Sequence, residues 1–165
     1  MRVLVLGASG MLGHKLLQVL SSRFEVAGTV RGPLADVAGL PVLDGARLLP
    51  EVRAEDLVGV EAAIEEFGPN AVLNCIGVIK QLDAGREATQ AIQVNALFPH
   101  QLAALCVSKN VRLVHFGTDC VFSGKRGNYT EEDVPDAEDL YGRTKLLGEI
   151  GGTGCLTLRT SIIGR

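Results

Sequence analysis

Tyr141 and Lys145 are the side chains in this sequence best suited to moving a proton. Their spacing of four residues places them on one face of the helix that the surrounding residues predict. A phenol has an ordinary pKa of about 10, and a nearby ammonium group favours the phenolate, so Lys145 would bring Tyr141 closer to the working range of a proton donor. A hydroxyl precedes the pair at Thr118. Taken alone, the pair is also what a surface helix carries by chance.

A glycine-rich turn near the N-terminus supplies the context that the pair needs. Gly7, Gly10 and Gly13 separate an apolar run, Arg2–Leu6, from an apolar helical pattern. Gly10 would let the backbone approach a pyrophosphate, and the helix N-terminus would offer unpaired N–H groups to it. A structural strand–turn–helix without a ligand is the alternative. The residues predicted to hold a dinucleotide here are Gly7, Ser9, Gly10, Met11, Leu12 and Gly13.

Two further strand ends would lie beside the same turn. Arg31 follows the second predicted strand, where a site selective for NAD usually carries an acid. An arginine can neutralise a 2′-phosphate with two hydrogen bonds, although a solvated loop arginine explains it equally well. The fourth predicted strand ends in small residues that would leave space beside a cofactor, namely Asn74, Cys75, Ile76 and Gly77.

Asn95 and Pro99 predict an irregularity in a long helix. Proline has no N–H group, so the carbonyl of Asn95 loses its helical partner and the helix should kink there. A freed carbonyl near the active site could hold a water that relays protons to Lys145. A kink that serves packing alone remains the other interpretation.

Composition places the chain among cytosolic globular α/β proteins. Its 165 residues suggest one domain, with 47% hydrophobic and 21% charged residues. The net charge of −3 and the lack of a basic run give no reason to expect nucleic acid or an anionic membrane as a partner. No apolar stretch is long enough to cross a bilayer, and the N-terminus does not look like a signal peptide. The four cysteines are far apart, so we expect buried thiols and neither a metal site nor disulfides.

Strands and helices are predicted to alternate along the chain. Apolar strands separated by helices indicate a parallel sheet covered on both faces. Right-handed crossovers and the glycine-rich first turn then favour a doubly wound Rossmann sheet of about six strands in the order 3-2-1-4-5-6. Predicted strands are Arg2–Leu6, Phe24–Val30, Glu51–Ala54, Ala71–Cys75, Val111–Phe116 and Cys155–Arg159; predicted helices are Met11–Ser22, a helix capped by Asp56 and ending at Phe67, Arg86–Lys109 and Leu140–Ile150; residues 32–50 are predicted to be irregular.

Together, the motifs resemble the extended short-chain dehydrogenase/reductase family. The glycine turn and the segment 141–145 carry that resemblance, and the segments 74–81, 118–124 and 129–133 narrow it to the dTDP-4-dehydrorhamnose reductase branch. The resemblance covers essentially the whole chain. It implies a reductase of 4-keto groups on nucleotide-linked deoxysugars, with NADPH, or else NAD, as cofactor.

The resemblance also assigns roles to individual residues. Tyr141 would give a proton to the keto oxygen, Lys145 would bind the nicotinamide ribose and polarise Tyr141, and Thr118 would bond the substrate carbonyl or the tyrosine hydroxyl. The water relay at Asn95 is known in the superfamily. Two positions depart from the family: Arg53 replaces an Asp that meets the adenine, and Cys120 replaces a Tyr. We place on the substrate side Val78, Cys120, Val121 and Phe122.

The sequence ends where members of this family begin a second, C-terminal lobe that holds the sugar nucleotide. We therefore expect residues 1–165 to form the cofactor-binding domain, either excised or self-sufficient. Loss of the lobe would uncover apolar surface near Val78, Ile79, Val121 and Phe122, which predicts a homo-oligomer. Two other functions stay open: an epimerase or dehydratase that retains NAD tightly, and a non-catalytic dinucleotide-binding module.

Overall fold

A central sheet of six parallel strands organises the computed structural model, which describes residues 1–79 and 84–163. The strand order is 3-2-1-4-5-6, as the sequence predicts. The strands are β1 Arg2–Leu6, β2 Glu25–Thr29, β3 Arg47–Leu49, β4 Ala71–Asn74, β5 Arg112–Phe116 and β6 Cys155–Leu158.

Helices cover both faces of the sheet and leave its carboxyl edge to loops. They are α1 Met11–Leu20, α2 Leu57–Phe67, α3 Ala84–Ala91, α4 Phe98–Ser108 and α5 Leu140–Leu147, with 3₁₀ turns at Leu34–Val37, Pro41–Leu43 and Asp119–Val121. The predicted cap of α2 is confirmed, because Asp56 accepts a hydrogen bond from the N–H of Gly59 and the left-handed Gly68 ends the helix. Among the described residues, no helix has the length and apolar character that a membrane crossing requires.

The core lies in two layers, one on each side of β1. Leu4 and Leu6 pack with Phe67 and Phe98 on one face. Val5 packs with Leu17 on the other face. Because β1 is buried on both faces, it is apolar almost throughout, as a central parallel strand must be.

The third strand does not lie at the predicted position. The sequence places it at Glu51–Ala54, whereas β3 pairs with β2 through Arg47–Leu49. Pro50 cannot donate a hydrogen bond to the ladder, and Glu51 has a left-handed φ of 58°. The extended pairing therefore ends before the segment that the prediction chose.

The predicted long helix is interrupted. A π-helical segment, Ile92–Leu97, separates α3 from α4, and Pro99 lies in the first turn of α4. A π-helical turn tolerates the missing N–H group of proline, because its hydrogen bonds join residues five apart instead of four. The N–H of Phe98 accordingly donates to the carbonyl oxygen of Gln93. Such turns frequently occur at functional sites.

Candidate active site

The glycine turn after β1 has the geometry of an anion cradle. Gly7 has φ of 81°, which other residues rarely adopt, and a Cβ at Gly13 would lie 2.1 Å from the carbonyl oxygen of Gly7. At Gly10 a Cβ would meet only that same oxygen among the described residues, at 3.3 Å, so the outer side of this residue is open. Ser9, Gly10 and Met11 are exposed and Leu12 is half-buried.

The N-terminus of α1 leaves its backbone N–H groups available. Within the described chain no side chain caps this helix, and its first turn has no acidic residue. The positive end of the helix dipole therefore faces the glycine turn without a protein anion to neutralise it. This arrangement suits a phosphate group.

A groove of about 200 Å³ extends from this turn across the carboxyl ends of the strands. Arg31 is 70% exposed at its rim, with its guanidinium 3.9 Å from a carboxylate oxygen of Glu55. Arg53 donates a hydrogen bond from Nε to the carbonyl oxygen of Arg31 at 3.2 Å. An exposed ion pair of this length contributes little, so Arg31 remains able to turn to another anion. Other residues lining the groove include Gly7, Ser9, Gly10, Cys75, Ile76, Gly77 and Val78.

Lys145 is buried beneath this edge of the sheet, with only 4% of its surface exposed. Its Nζ donates a hydrogen bond to the carbonyl oxygen of Phe116 at 2.9 Å. A Cβ built on Gly77 would lie 3.9 Å from Nζ, so the glycine leaves the amine close to the groove. Burial lowers the pKa of Lys145 from 10.5 to about 8, against the opposing effect of Glu149. The lysine is therefore poised to change charge near neutral pH.

His115 is a site residue that the sequence analysis missed. It is fully buried on β5, with Nε2 at 3.5 Å from Nζ of Lys145 and Nδ1 at 3.0 Å from Nδ2 of Asn74. Burial, with Lys145 and His100 nearby, lowers the pKa of His115 to about 3. One signal was available: a histidine inside an otherwise apolar strand near its carboxyl end.

Asn95 contacts the loop after β4 through its side chain. Its Oδ1 accepts from the N–H of Val78 at 2.9 Å, and its Nδ2 donates to the carbonyl oxygen of Val78 at 3.0 Å. The Asn95 carbonyl oxygen, predicted to hold a water, lies against Gly148 at the C-terminal end of α5, where a Cβ would approach it to 1.8 Å. Asn95 thus ties the π-helical segment to the floor of the groove and to α5.

Tyr141 borders a second cavity, of about 270 Å³. It lies in the first turn of α5, which Asp139 caps by accepting from the N–H of Gly142 at 2.8 Å. The walls of this cavity are mostly apolar and come from Val78, Ile79, Ala91, Asn95, Asp139 and Leu140. Val78 lines both this cavity and the groove, so the two spaces are adjacent.

The segment after β5 is placed differently from the prediction in one respect. Thr118 accepts from the N–H of Cys120 at 3.1 Å and donates to Asp119 at 3.3 Å. Cys120 is exposed, whereas Val121 is 0% exposed. Val121 therefore adds no exposed apolar surface, and its assignment to the substrate side stays a prediction. Phe122 is half-buried and stacks on Tyr129 at 4.5 Å between ring centroids.

The cysteines are free thiols, but they are not all buried as the sequence predicts. All four lie in the described part of the chain and are free, with Cys106 buried, Cys75 and Cys155 half-buried and Cys120 exposed. Burial raises the pKa of Cys75 to about 12. Although Cys75 borders the groove, its thiol is thus a poor nucleophile.

The strand order and the glycine turn define a doubly wound α/β domain of the Rossmann type. The chain belongs to the family described as the RmlD substrate binding domain, whose model matches residues 1–163. This match confirms the resemblance to the dTDP-4-dehydrorhamnose reductase branch that the motifs predict.

Known relatives are similar along most of this chain. A dTDP-4-dehydrorhamnose reductase of Streptomyces griseus is 35% identical over 90% of the chain and 43% of the relative. A dTDP-4-keto-6-deoxy-D-glucose reductase of Streptomyces niveus is 32% identical over 90% of the chain and 46% of the relative. The crystal structure of a hypothetical dTDP-4-dehydrorhamnose reductase from Sulfolobus tokodaii superposes with a TM-score of 0.81 at 29% identity, covering 96% of this chain and 55% of that one. The chain thus spans less than half the length of these two curated relatives.

Proposed function

We propose that residues 1–165 are the dinucleotide-binding domain of an NADP-dependent oxidoreductase that reduces a 4-keto group on a nucleotide-linked deoxysugar. The observation that carries the proposal is the burial of Lys145 one helical turn from Tyr141, beside a groove that begins at an uncapped helix N-terminus. The names of the two Streptomyces relatives, both reductases of dTDP-linked sugars, support the choice of substrate class.

The residues present fit a dinucleotide. The open side of Gly10 and the free N–H groups of α1 suit the pyrophosphate, and Arg31 is free to meet a 2′-phosphate at the rim. The small residues after β4 leave the groove floor clear beside Lys145. When bound, the reduced cofactor supplies the hydride. Contacts to it are proposed for Gly7, Ser9, Gly10, Met11, Leu12, Gly13, Arg31, Asn74, Cys75, Ile76, Gly77, Asn95 and Lys145.

Tyr141 would donate the proton in this reaction. Its hydroxyl would serve as general acid to the keto oxygen, while Lys145, held by the carbonyl of Phe116, would stabilise the phenolate that remains. Thr118 would orient the keto group. Because the Lys145 pKa is about 8, its positive charge is present below that pH and disappears above it. The assistance to Tyr141 should decline in the same range.

Titration of NADPH fluorescence with the purified chain tests the proposal. We expect saturable binding that is tighter for NADPH than for NADH. The bound nucleotide in freshly purified protein can be identified by mass spectrometry. Retained NAD would favour the epimerase or dehydratase instead, and no binding of either dinucleotide would refute the proposed function.

A further inference from the structure

Behind Lys145, a chain of buried polar contacts links the end of β4, strand β5 and helix α5. The N–H of Ile76 donates to Oδ1 of Asn74 at 3.1 Å, Nδ2 of Asn74 lies 3.0 Å from Nδ1 of His115, and Nε2 of His115 lies 3.5 Å from Nζ of Lys145. Asn74 and His115 are both 0% exposed. Buried polar groups of this kind are expected to pair with defined donors and acceptors.

The contacts determine where the proton of His115 lies. A backbone N–H can only donate, so the group of Asn74 that faces Ile76 must be its carbonyl oxygen. The amide NH₂ of Asn74 then faces His115, and since it can only donate, Nδ1 must accept. A neutral imidazole with Nδ1 as acceptor carries its proton on Nε2. That N–H is directed to Lys145.

We propose that Asn74 and His115 are positioning residues for Lys145: Asn74 holds His115 as the neutral Nε2–H tautomer, so that His115 fills the space behind the lysine without accepting its protons. The Lys145 amine is then anchored by the carbonyl of Phe116 at 2.9 Å, and its other N–H bonds stay available toward the groove. The benefit to catalysis rests on the proposed function. The tautomer itself does not.

The charges around the pair agree with this assignment. An N–H group facing an ammonium is repulsive, whereas it can donate to a neutral amine, so the tautomer acts in the same direction as burial in lowering the pKa of Lys145. Cys75 and Glu149 also lie near Lys145 and both raise its pKa, and Tyr141 lies one helical turn away on α5. His100 lies near His115 and, with Lys145 and burial, opposes its protonation.

The tautomer can be measured directly on the chain of 165 residues. The chain has three histidines, so a long-range ¹H–¹⁵N correlation spectrum of the ¹⁵N-labelled protein gives three ring patterns, assigned with His14→Gln and His100→Gln. We expect His115 to be neutral with its proton on Nε2 from pH 9 down to pH 6. A proton on Nδ1, or an imidazolium at pH 6, would overturn the proposal without any substitution in the site.

Asn74→Asp replaces the donor that faces His115 with an acceptor of almost the same shape. Both carboxylate oxygens accept, so one would take the N–H of Ile76 and the other would require a proton on Nδ1 of His115. We expect the proton to appear on Nδ1 and the pKa of Lys145, followed through its ¹³Cε signal, to rise by about 1. Asn70→Asp, an exposed asparagine just before β4 whose Oδ1 accepts from Arg2, is the matched control. A folded Asn74→Asp protein with an unchanged His115 pattern would contradict the proposal.

These measurements need neither cofactor nor substrate. A chain that fails to bind NADPH but shows the Nε2–H tautomer would refute the proposed function and leave the positioning contact standing. A chain that binds NADPH with His115 protonated on Nδ1 would do the reverse. The two inferences can therefore fail separately.

Discussion

Lys145 is a basic side chain in a place that favours its neutral form. It is almost fully buried, and its Nζ lies 3.5 Å from Nε2 of His115, the ring nitrogen to which we assign the proton. An ammonium in such surroundings loses hydration that one hydrogen bond to Phe116 replaces only in part. A residue of this kind is retained at a cost in stability, which is common where function requires a particular charge.

That cost should depend on pH in a defined direction. The pKa of Lys145 is about 8 in the folded chain, against an ordinary value of 10.5, so between these values the unfolded chain binds more protons and stability rises with pH. The free energy of unfolding of the wild type, relative to Lys145→Met, should increase by about 2 to 3 kcal/mol from pH 7 to pH 10. Urea titrations at several pH values measure it.

Lys125→Met serves as the control for this titration. Lys125 is exposed, and its pKa is raised by the hydrogen bond to Glu138. The stabilisation from Lys125 is therefore fully present below the ordinary pKa of 10.5 and is lost only above it, so the wild-type advantage over Lys125→Met should stay constant from pH 7 to pH 10. A wild-type advantage over Lys145→Met that stays constant with pH would show that Lys145 keeps an ordinary pKa.

Tyr141→Phe should abolish proton donation while preserving the ring. In a preparation that reduces a 4-ketosugar nucleotide, we expect turnover to fall by about 10² or more, the scale of a lost general acid. Tyr129→Phe is the control, because Tyr129 is the other of the two tyrosines and its hydroxyl serves the loop by accepting from the N–H of Arg126. Near wild-type turnover of Tyr141→Phe would remove this residue from the mechanism.

Arg31→Ala should separate the two cofactors. Hydrogen bonds to charged groups contribute about 1.5 to 3 kcal/mol, so we expect the affinity for NADPH to fall roughly 10- to 100-fold, while that for NADH changes little. Isothermal titration calorimetry measures both. Arg112→Ala removes an exposed arginine at the amino end of β5 and should leave both affinities alone. Equal losses for the two cofactors after Arg31→Ala would show that Arg31 does not read the 2′-phosphate.

At the scale of elements, the sequence predicted most where local chemistry is strong. The first strand, the glycine turn and the Asp56 cap each depend on residues adjacent in sequence. The third strand was misplaced because its pairing with β2 ends at a proline that periodicity does not register. The effect of Pro99 was foreseen, but its form was not, since a kink and a π-helical turn both remove the same hydrogen bond.

Gly10 and Gly13 belong to one turn but should respond differently to alanine. At Gly13 a Cβ would lie 2.1 Å from a backbone oxygen, so Gly13→Ala should lower the free energy of unfolding by about 3 kcal/mol. At Gly10 the contact is 3.3 Å, so Gly10→Ala should fold with a small loss and instead weaken NADPH binding by about tenfold or more, a cost of 1.4 kcal/mol.

Thermal melts and fluorescence titrations of both variants separate the two effects. Gly151→Ala adds a Cβ with no described atom within 4 Å and controls for the change from glycine itself. Strong NADPH binding by a well-folded Gly10→Ala chain would mean that the pyrophosphate does not approach this turn.

At the scale of the molecule, the site is assembled from residues distant in sequence. His115 reaches Lys145 from β5, and Glu55 reaches Arg31 from the loop after β3. Spacing along the chain cannot reveal such contacts, because they depend on the strand order. The burial of Val121 could not be predicted for a related reason, since the direction of a side chain in a 3₁₀ turn is set by what packs beneath it. The homo-oligomer stays a prediction, with Ile79, 66% exposed, as part of the apolar surface.

We expect the chain of 165 residues to bind NADPH but to reduce 4-ketosugars poorly. The proposed cofactor contacts all lie within it, whereas the relatives that it resembles are about twice as long. Binding energy from the remote nucleotide is what orients a small keto group. NADPH at 100 times its Kd should stabilise the chain by about 2.7 kcal/mol, while NADPH oxidation with dTDP- and UDP-linked 4-ketosugars should be slow. Rapid oxidation would show that these residues hold the sugar nucleotide themselves.

The position of β1 at the centre of the sheet has a consequence for biosynthesis. Val3 pairs with Val26 on one side and with Ala71 on the other. At about 5 to 20 residues per second, the ribosome would need roughly 2 to 9 s between these two partners. During that interval one edge of the most apolar strand has no neighbour, and closing the sheet must wait for a distant segment. The nascent chain therefore has a window in which chaperones would be most useful to it, before the part of the groove that follows β4 exists.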